Sequence, residues 1–180
     1  DEVTAPAQNI SVEVAAAAEE AALRIANELG VTGVMAAELF ETPGVGAGFL
    51  INELAMRPHN TGHWTQDGSI TSQFEQHLRA VLDLPLGATD ALAPVVVMKN
   101  FLGGDNQDLF KAFPMALAFE PAAKVHSYGK SVRPGRKIGH VNLVGSSVSD
   151  VDSVRQRATT VANIIRDGRK PEQTTLEETA

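Results

Sequence analysis

The 180-residue sequence contains no cysteine. Disulfides, thiolate metal sites and thiol nucleophiles are therefore excluded, and any chemistry must use carboxylates, histidines, lysines or arginines. Long apolar runs are absent too: charges or glycines interrupt them well before the roughly 18 residues that a membrane helix requires, and no signal-peptide pattern opens the chain. We therefore expect a cytoplasmic protein with no membrane partner.

Positive charge is also scarce, with 15 Lys and Arg against 22 Asp and Glu and a formal net charge of −7. Nucleic-acid binding generally needs a broad positive surface that displaces counterions, so we expect no nucleic-acid partner. What is present is a hydrophobic fraction of 43%, enough to bury one good core or two small ones. The first residue is Asp1 rather than methionine, which indicates a piece of a longer protein.

The first half of the chain has an α+β pattern. Apolar residues recur at helical spacing over 11–29, where Ser11 can cap the helix and Gly30 follows it. Residues 31–55 contain two β-like runs around a Pro/Gly-rich connection and predict a hairpin. A loop or short helical turn then leads to a helix over 72–81.

From residue 93 the pattern changes to short β-like runs. They lie in 93–103 and 115–145, and apolar spacing over 150–165 predicts a closing amphipathic helix. We therefore place a domain boundary between residues 92 and 93 and end the second, β-rich domain at residue 168. Residues 169–180 are interpreted as a polar tail.

Two carboxylates of the predicted hairpin provide the first candidate site. Glu38 and Glu53 are equally far from the glycine-rich turn, so a symmetric register places them opposite each other, with Cβ atoms about 4.5–5.5 Å apart. Like charges so placed repel unless one is protonated or a cation lies between them, and Mg²⁺ suits oxygen ligands of this kind. Alternatively, both glutamates lie on the solvent face of an ordinary ribbon, and a one-residue slip separates them.

Anion-binding side chains follow the hairpin directly in RPHNTGHW, from Arg57 to Trp64. Pro58 biases the preceding residue toward an extended conformation, which suits a loop that presents Arg57 and His59 to an anion. A surface ion pair is the alternative for Arg57. For His63, Trp64 and His77, which lies in the next helix, we favour structural contacts.

A second cluster places four of the chain's 15 cations within eight residues: Lys130, Arg133, Arg136 and Lys137. Gly129, Pro134 and Gly135 predict a tight exposed turn whose backbone amides can approach a phosphate. A solvated basic turn is the alternative. The glycine-rich PGVGAG segment lacks a following GK[ST] and is interpreted as the hairpin turn only.

These strings resemble one family. The segment INELAMRPHNTGHWTQDGSITSQFEQHLRAVLDLPLG is similar to the corresponding stretch of the 5-(carboxyamino)imidazole ribonucleotide synthases (phosphoribosylaminoimidazole carboxylase ATPase subunits), which are ATP-grasp ligases. The upstream GVMAAELFE resembles the preceding ATP-grasp strand, and YGKSVRPGRKIGH resembles a string of the family's small C-terminal domain. The resemblance covers roughly residues 1–166. It implies the C-terminal part of an ATP-grasp domain, an antiparallel sheet with helices, in 1–92, followed by the small β-rich domain.

The resemblance also implies roles for individual residues. Glu38 and Glu53 match the carboxylates that hold Mg²⁺ on ATP, and Asn52 and Glu53 match the nucleotide side of that site. Arg57 and His59 match catalytic positions near bicarbonate. Matches to substrate-binding positions are Asn60, Lys130, Arg133, Arg136 and Lys137. His140 is interpreted as structural.

The activity implied is the purine-biosynthetic carboxylation of 5-aminoimidazole ribonucleotide with bicarbonate and ATP, via carboxyphosphate, in a homodimer. Such an enzyme also needs an N-terminal domain, a flexible glycine-rich lid and phosphate-binding lysines. We identify none of these in the 180 residues, so we expect the isolated chain to be deficient in ATP binding and inactive. Two alternatives stay open: another ATP-grasp ligase, and a non-catalytic anion-binding or assembly module.

Overall fold

The computed structural model describes residues 2–170, which fall into two compact units. The first unit is Thr4–Pro94, and the second contains the described residues from Val95 onward together with Glu2 and Val3. Strands and helices are mixed in both, as the predicted α+β class requires. None of the described helices has the length and apolarity needed to cross a membrane. Most of the predicted polar tail, residues 171–180, lies outside the described residues.

The first unit begins its regular structure with helix α1 (Val12–Glu28), within one residue of the prediction. The Ser11 hydroxyl caps it by accepting a hydrogen bond from the Val14 amide at 3.2 Å. Its alanine-rich stripe is half-buried, although Leu29 at the end of the predicted stripe is 59% exposed.

Strands β2 (Ala36–Glu41) and β3 (Phe49–Ala55) form the predicted antiparallel hairpin. Its connection has three glycines in the left-handed region, Gly44, Gly46 and Gly48. The turn is closed by the Thr42 amide, which donates to the Gly48 carbonyl at 2.8 Å. After the hairpin come a 3-10 turn (Asn60–Gly62) and helices α2 (Thr65–Gly68) and α3 (Gln73–Val81).

The second unit is built on a four-stranded sheet in the order β1-β4-β6-β5. Its strands are β1 (Glu2–Ala5), β4 (Val95–Leu102), β5 (Lys124–Ser127) and β6 (Lys137–Gly145), and β6 is antiparallel to both β4 and β5. Helix α5 (Val151–Asp167) packs on β4 and β6, and helix α4 (Leu109–Phe119) packs against α5. The core combines sheet and helix side chains, among them Val97, Phe101, Val141, Leu143, Val154, Ala158, Val161 and Ile165.

Two elements of this unit differ from the sequence-based prediction. We predicted short strands from residue 115 onward, and this is wrong for residues 115–119, which complete α4. Periodicity alone cannot distinguish a short apolar run that forms a buried helix from one that forms a buried strand. In addition, Pro114, which cannot donate a helical hydrogen bond, lies inside α4. Strand β1 was missed because four residues carry too little pattern.

Glu2 attaches β1 to its neighbours through two cations. One carboxylate oxygen lies 3.1 Å from the Lys99 ammonium on β4, and the other accepts a hydrogen bond from Arg155 on α5. Burial by itself favours the neutral acid, but the hydrogen bonds from Arg155 and Lys99 outweigh it and lower the pKa of Glu2 from 4.5. The ionised carboxylate is therefore the form that the folded unit stabilises.

We expect Glu2→Gln to lower the free energy of unfolding by about 1 kcal/mol at pH 7, because a charge-assisted network that is partly exposed is lost. Since the pKa is lowered on folding, this contribution is complete above the unfolded pKa and disappears as the pH falls through the folded value. Urea denaturation at pH 7 and pH 3.5 measures both effects. The exposed Glu41→Gln is the control, and equal loss in the two variants would contradict the assignment.

Candidate carboxylate and phosphate sites

The hairpin register brings two carboxylates face to face. Glu38 on β2 pairs directly with Glu53 on β3, as the symmetric register predicted. The two side chains are 32% and 58% exposed, respectively. Their charges are therefore partly screened by water while they remain accessible to a ligand.

A β-bulge next to this pair was not predicted. Glu38 pairs with Glu53, but the following Leu39 pairs with Ile51, so Asn52 is an extra residue in β3. A bulge interrupts the strict alternation of side chains and can direct an extra one to the face of its neighbour. The Asn52 amide indeed donates to Glu38 Oε2 at 3.3 Å. Three predicted site residues thus lie together.

His59 completes the cluster from the loop after β3. Its Nδ1 lies 3.6 Å from Glu38 Oε1, and its Nε2 lies 3.8 Å from Glu53 Oε1. One ligand atom from each of these three residues falls within a span of 4.8 Å. The predicted association of the loop with the carboxylate pair is therefore present in the geometry.

Gln73 fixes the backbone of His59. Its side-chain oxygen accepts the His59 amide hydrogen at 2.9 Å, and its side-chain nitrogen donates to the His59 carbonyl at 2.8 Å. Gln73 is 6% exposed and is the first residue of α3, where Ser72 caps the helix. The start of α3 thereby determines where the imidazole lies.

Thr61 contacts one nitrogen of the His59 ring. Its amide donates to Nδ1 at 3.4 Å, and its hydroxyl lies 3.1 Å from the same nitrogen. The other ring nitrogen, Nε2, faces Glu53. His59 therefore presents a hydrogen-bonding nitrogen toward the carboxylate pair and toward an anion bound beside it.

The donor set fits a hard divalent cation. Two facing carboxylates match the preference of Mg²⁺ for oxygen, and their exposure leaves room for water and phosphate oxygens to complete six ligands. A cation also removes the repulsion between the two glutamates. Glu38 and Glu53 are the residues that would hold the ion.

Arg57 and Asn60 lie beside the cluster without joining it. Arg57 is exposed, and its guanidinium donates to the adjacent Pro58 carbonyl at 3.1 Å; in the described residues it forms no ion pair with either glutamate. Asn60 is half-buried and begins the 3-10 turn. Both residues are close to His59 in the sequence, and their predicted roles remain proposals.

The basic residues lie on the loop between β5 and β6, in the second unit. The Arg136 amide donates to the Arg133 carbonyl at 3.0 Å, with Pro134 and Gly135 in the middle and Gly135 at φ +73°. This is a type II turn, for which proline and glycine are favoured at these positions. The tight exposed turn predicted from the sequence is present.

The turn is attached to Gly103, just after β4. The Gly103 amide donates to the Arg136 carbonyl at 2.8 Å, and the Gly135 amide donates to the Gly103 carbonyl at 3.1 Å. A Cβ on Gly103 would collide with the Arg133 carbonyl. The approach of the two backbones therefore requires glycine at this position.

The cations themselves are presented to solvent. Arg136 is braced by Ser131, whose hydroxyl accepts from the guanidinium at 3.0 Å, and Lys137 begins β6. Lys130 and Arg133 are likewise exposed. Lys130, Arg133 and Arg136 therefore lie on one exposed loop, and Lys137 is the exposed first residue of the strand that follows.

Comparison with known proteins assigns both halves of the chain. The ATP-grasp domain model matches residues 1–74, and the model of the phosphoribosylaminoimidazole carboxylase C-terminal domain matches residues 96–154. An N5-carboxyaminoimidazole ribonucleotide synthase of Mycobacterium tuberculosis is 52% identical over 170 residues, covering 93% of this chain and 38% of the relative. The chain belongs to the N5-carboxyaminoimidazole ribonucleotide synthase family.

Other members of the family agree. The Escherichia coli synthase is 50% identical over 135 residues, which cover 74% of this chain and 35% of that protein. The crystal structure of the Thermus thermophilus synthetase matches with a TM-score of 0.72 and 40% identity over 88% of this chain and 41% of that one. The chain therefore spans well under half the length of these relatives.

A family structure with bound ligands also matches. The Aspergillus clavatus synthase in complex with ADP and 5-aminoimidazole ribonucleotide has a TM-score of 0.76 and 33% identity, over 89% of this chain and 43% of that one. The similarity to this family that the sequence indicated is thus confirmed.

Sequence reasoning missed the residues that position the site. Gln73 follows a helix cap and was interpreted only as the start of α3, and Gly103 was interpreted only as the end of a strand. Both act through backbone contacts with residues distant in sequence, for which the local pattern carries no signal. The structural interpretation of two histidines is supported, since His63 stacks on Phe74 at 5.6 Å and His77 Nδ1 accepts from the Val34 amide at 3.1 Å.

We expect Glu53→Gln to weaken binding of Mn²⁺, a paramagnetic substitute for Mg²⁺, by about tenfold or more, because one of two charged ligands is lost. Titration of the 180-residue chain, followed by the electron paramagnetic resonance of free Mn²⁺, measures the change. Glu41→Gln on the same hairpin is the matched control. Identical titrations for the two variants would show that the ion is held elsewhere.

We expect Gly103→Ala to destabilise the second unit by about 1–3 kcal/mol, because the added methyl group collides with backbone that cannot move without breaking the turn. Gly104→Ala is the neighbouring comparison. Its added methyl group would lie 2.6 Å from a side-chain carbon of Arg166 and 3.1 Å from the Arg166 carbonyl, so we expect a smaller cost than for Gly103→Ala. Urea denaturation gives the cost, and amide spectra locate it. The assignment fails if Gly104→Ala costs as much or if the signals of Arg133–Lys137 are unchanged by Gly103→Ala.

Proposed function

We propose that the protein to which this chain belongs carboxylates 5-aminoimidazole ribonucleotide with bicarbonate and ATP. The products are N5-carboxyaminoimidazole ribonucleotide, ADP and phosphate, and the reaction proceeds via carboxyphosphate. The observation that carries the proposal is the cluster of Glu38, Glu53 and His59 around one small volume, in a chain of this family. ATP and Mg²⁺ are the cofactors that the reaction uses.

The carboxylate pair supports the nucleotide side of the reaction. Glu38 and Glu53 would hold Mg²⁺, which supplies positive charge to the phosphate oxygens during phosphoryl transfer. Asn52 donates a 3.3 Å hydrogen bond to Glu38 and would contact the nucleotide. Strand pairing fixes the backbone of both glutamates, so only their side chains would reorient when the ligands arrive.

His59, Arg57 and Asn60 would orient bicarbonate. The Nε2 atom of His59 faces the cluster, so the imidazole can form a hydrogen bond with an anion there. Arg57 is exposed and bonded only to the neighbouring Pro58 carbonyl among the described contacts, so its guanidinium can turn toward an anion at small cost. The side-chain amide of Asn60 would add a further hydrogen-bonding group for the substrate.

The basic loop would bind the phosphate of the ribotide. Positive charge is concentrated here although the chain as a whole is acidic, and it is carried by Lys130, Arg133, Arg136 and Lys137. The type II turn adds backbone amides. The docking of the turn on Gly103 limits its motion. A phosphate monoester therefore meets a loop whose backbone is already ordered.

The setting of the enzyme is also a proposal. We place it in the cytoplasm as a homodimer, with bicarbonate and small metabolites rather than nucleic acid or membrane as partners. The net charge of −7 and the substrates named for family structures support this setting.

The test uses a hybrid enzyme in which this chain replaces the matching segment of the Mycobacterium tuberculosis relative. We expect ADP release that requires both bicarbonate and the ribotide, and we expect His59→Asn to lower kcat/KM for bicarbonate by about 100-fold, as loss of a positioned proton-transfer group does. ADP is measured with a coupled assay, and the 180-residue chain alone is expected to release none.

One control variant and one alternative outcome make the result interpretable. His77→Asn changes a histidine that serves α3 packing and should leave kcat/KM for bicarbonate unchanged once folding is verified. A folded hybrid that releases ADP without needing the ribotide would instead favour another ATP-grasp ligase.

A further inference from the structure

A polar network lies within the sheet of the second unit. Asn100 on β4 and His140 on β6 are directly paired across the ladder and are only 4% and 1% exposed. Tyr128, the first residue after β5, reaches both of them. None of these residues belongs to the proposed site, yet Tyr128 opens the loop that carries the basic residues.

Two hydrogen bonds fix the Tyr128 hydroxyl. The Asn100 amide donates to the hydroxyl oxygen at 3.3 Å, and the hydroxyl lies 2.9 Å from His140 Nδ1. Burial raises the pKa of Tyr128 to about 12, although the hydrogen bond from Asn100 opposes this, so the hydroxyl keeps its hydrogen at neutral pH. It accepts from Asn100 and forms a second hydrogen bond with His140.

The surroundings of the ring are fixed as well. The Tyr128 amide donates to the Ile138 carbonyl at 3.0 Å, which holds the backbone against β6. The His140 ring stacks on the His126 ring with centroids 4.6 Å apart. Hydrogen bonds and packing thus hold the aromatic ring in one place while the loop beyond it is exposed.

Lys130 lies on the face of this ring. Its ammonium is 5.1 Å from the centroid of the Tyr128 ring, within the range of a cation–π contact. The residue between them, Gly129, has φ +63°, a left-handed conformation that turns the chain back so that position 130 can cover position 128. The sequence Tyr-Gly-Lys therefore specifies the contact locally.

We propose that Tyr128 is a positioning residue for substrate binding: its ring holds the Lys130 ammonium in place to receive the phosphate of the ribotide. This inference rests on the proposed function, which assigns Lys130 to that phosphate. Asn100 and His140 act one step further back by holding the ring. A flexible lysine would otherwise have to be ordered when the ligand binds, at a cost in affinity.

The contact itself can be tested without any assumption about function. The side-chain ε-protons of Lys130, resolved by carbon–nitrogen-labelled spectra of the 180-residue chain, should be shifted upfield by the ring current of Tyr128. Tyr128→Phe retains the ring but loses the hydroxyl contacts to Asn100 and His140, so it should keep part of the shift, and Tyr128→Leu should abolish it. An unshifted Lys130 in the unmodified chain overturns the proposal.

The functional consequence is tested in the hybrid enzyme. We expect Tyr128→Leu to raise KM for the ribotide about two- to fivefold with kcat and KM for ATP unchanged, the size expected of an exposed cation–π contact. Tyr128→Phe, which keeps the ring and loses only the hydroxyl contacts, should raise KM for the ribotide less than Tyr128→Leu does. Lys130→Gln should raise KM for the ribotide at least as much as Tyr128→Leu.

Each outcome points to a different conclusion. If Lys130→Gln raises KM and Tyr128→Leu does not, the positioning role is wrong while the phosphate role of Lys130 stands. If neither raises KM, the assignment of Lys130 in the proposed function fails and the positioning role fails with it. If Tyr128→Phe loses as much as Tyr128→Leu, or if KM for ATP rises equally, the residue supports folding rather than Lys130.

Discussion

The candidate site depends on the repulsion between two glutamates that antiparallel pairing holds opposite each other. At a separation of 4–5 Å, two unit charges repel by about 1 kcal/mol in water and about 4 kcal/mol near a protein surface. The exposure of Glu38 and Glu53 keeps the cost toward the lower value, so the hairpin tolerates the bare pair. Any divalent cation that enters converts this repulsion into attraction. The pair is therefore an acceptor for a metal before any other part of the site is considered.

The two candidate sites share one physical arrangement. In each, a residue distant in sequence holds the backbone that carries a functional side chain. At the carboxylate cluster, the side chain of Gln73 satisfies the His59 amide and carbonyl in place of a strand partner. At the basic loop, the backbone of Gly103 does the same for the turn. A buried backbone amide or carbonyl without a hydrogen-bond partner costs free energy. These hydrogen bonds therefore favour one arrangement of the two backbones over others. The charged side chains thus remain open to solvent while their positions are restricted.

The parts predicted from the sequence are those that local patterns determine. The sequence predicted that Glu38 and Glu53 face each other, and the type II turn follows from Arg-Pro-Gly-Arg itself. The distance of each glutamate to the turn does not suffice for their pairing, because the register nearest the turn would place Glu38 opposite Asn52 and the bulge shifts it to Glu53. Helices α1, α3 and α5 follow from apolar spacing and caps. The bulge at Asn52 and the contacts of Gln73 and Gly103 depend on backbones that meet only after folding. Helix α4 was missed because its apolar run fits a strand equally well and a proline interrupts it.

Strand β4 buries a polar side chain near the basic loop, and this burial costs free energy. On one face of the strand, Val96 and Met98 are fully buried apolar residues, but the next position on that face is Asn100. A well-packed apolar residue there would usually be at least as stabilising, because a buried amide must recover the hydrogen bonds that it loses to water. Asn100 recovers part of them from the Tyr128 hydroxyl and the Gly139 carbonyl, at the end of the sheet where the loop begins. The buried polar side chains at this end of the sheet are therefore placed where they contact the Tyr128 hydroxyl, at the first residue of the loop that carries the basic side chains.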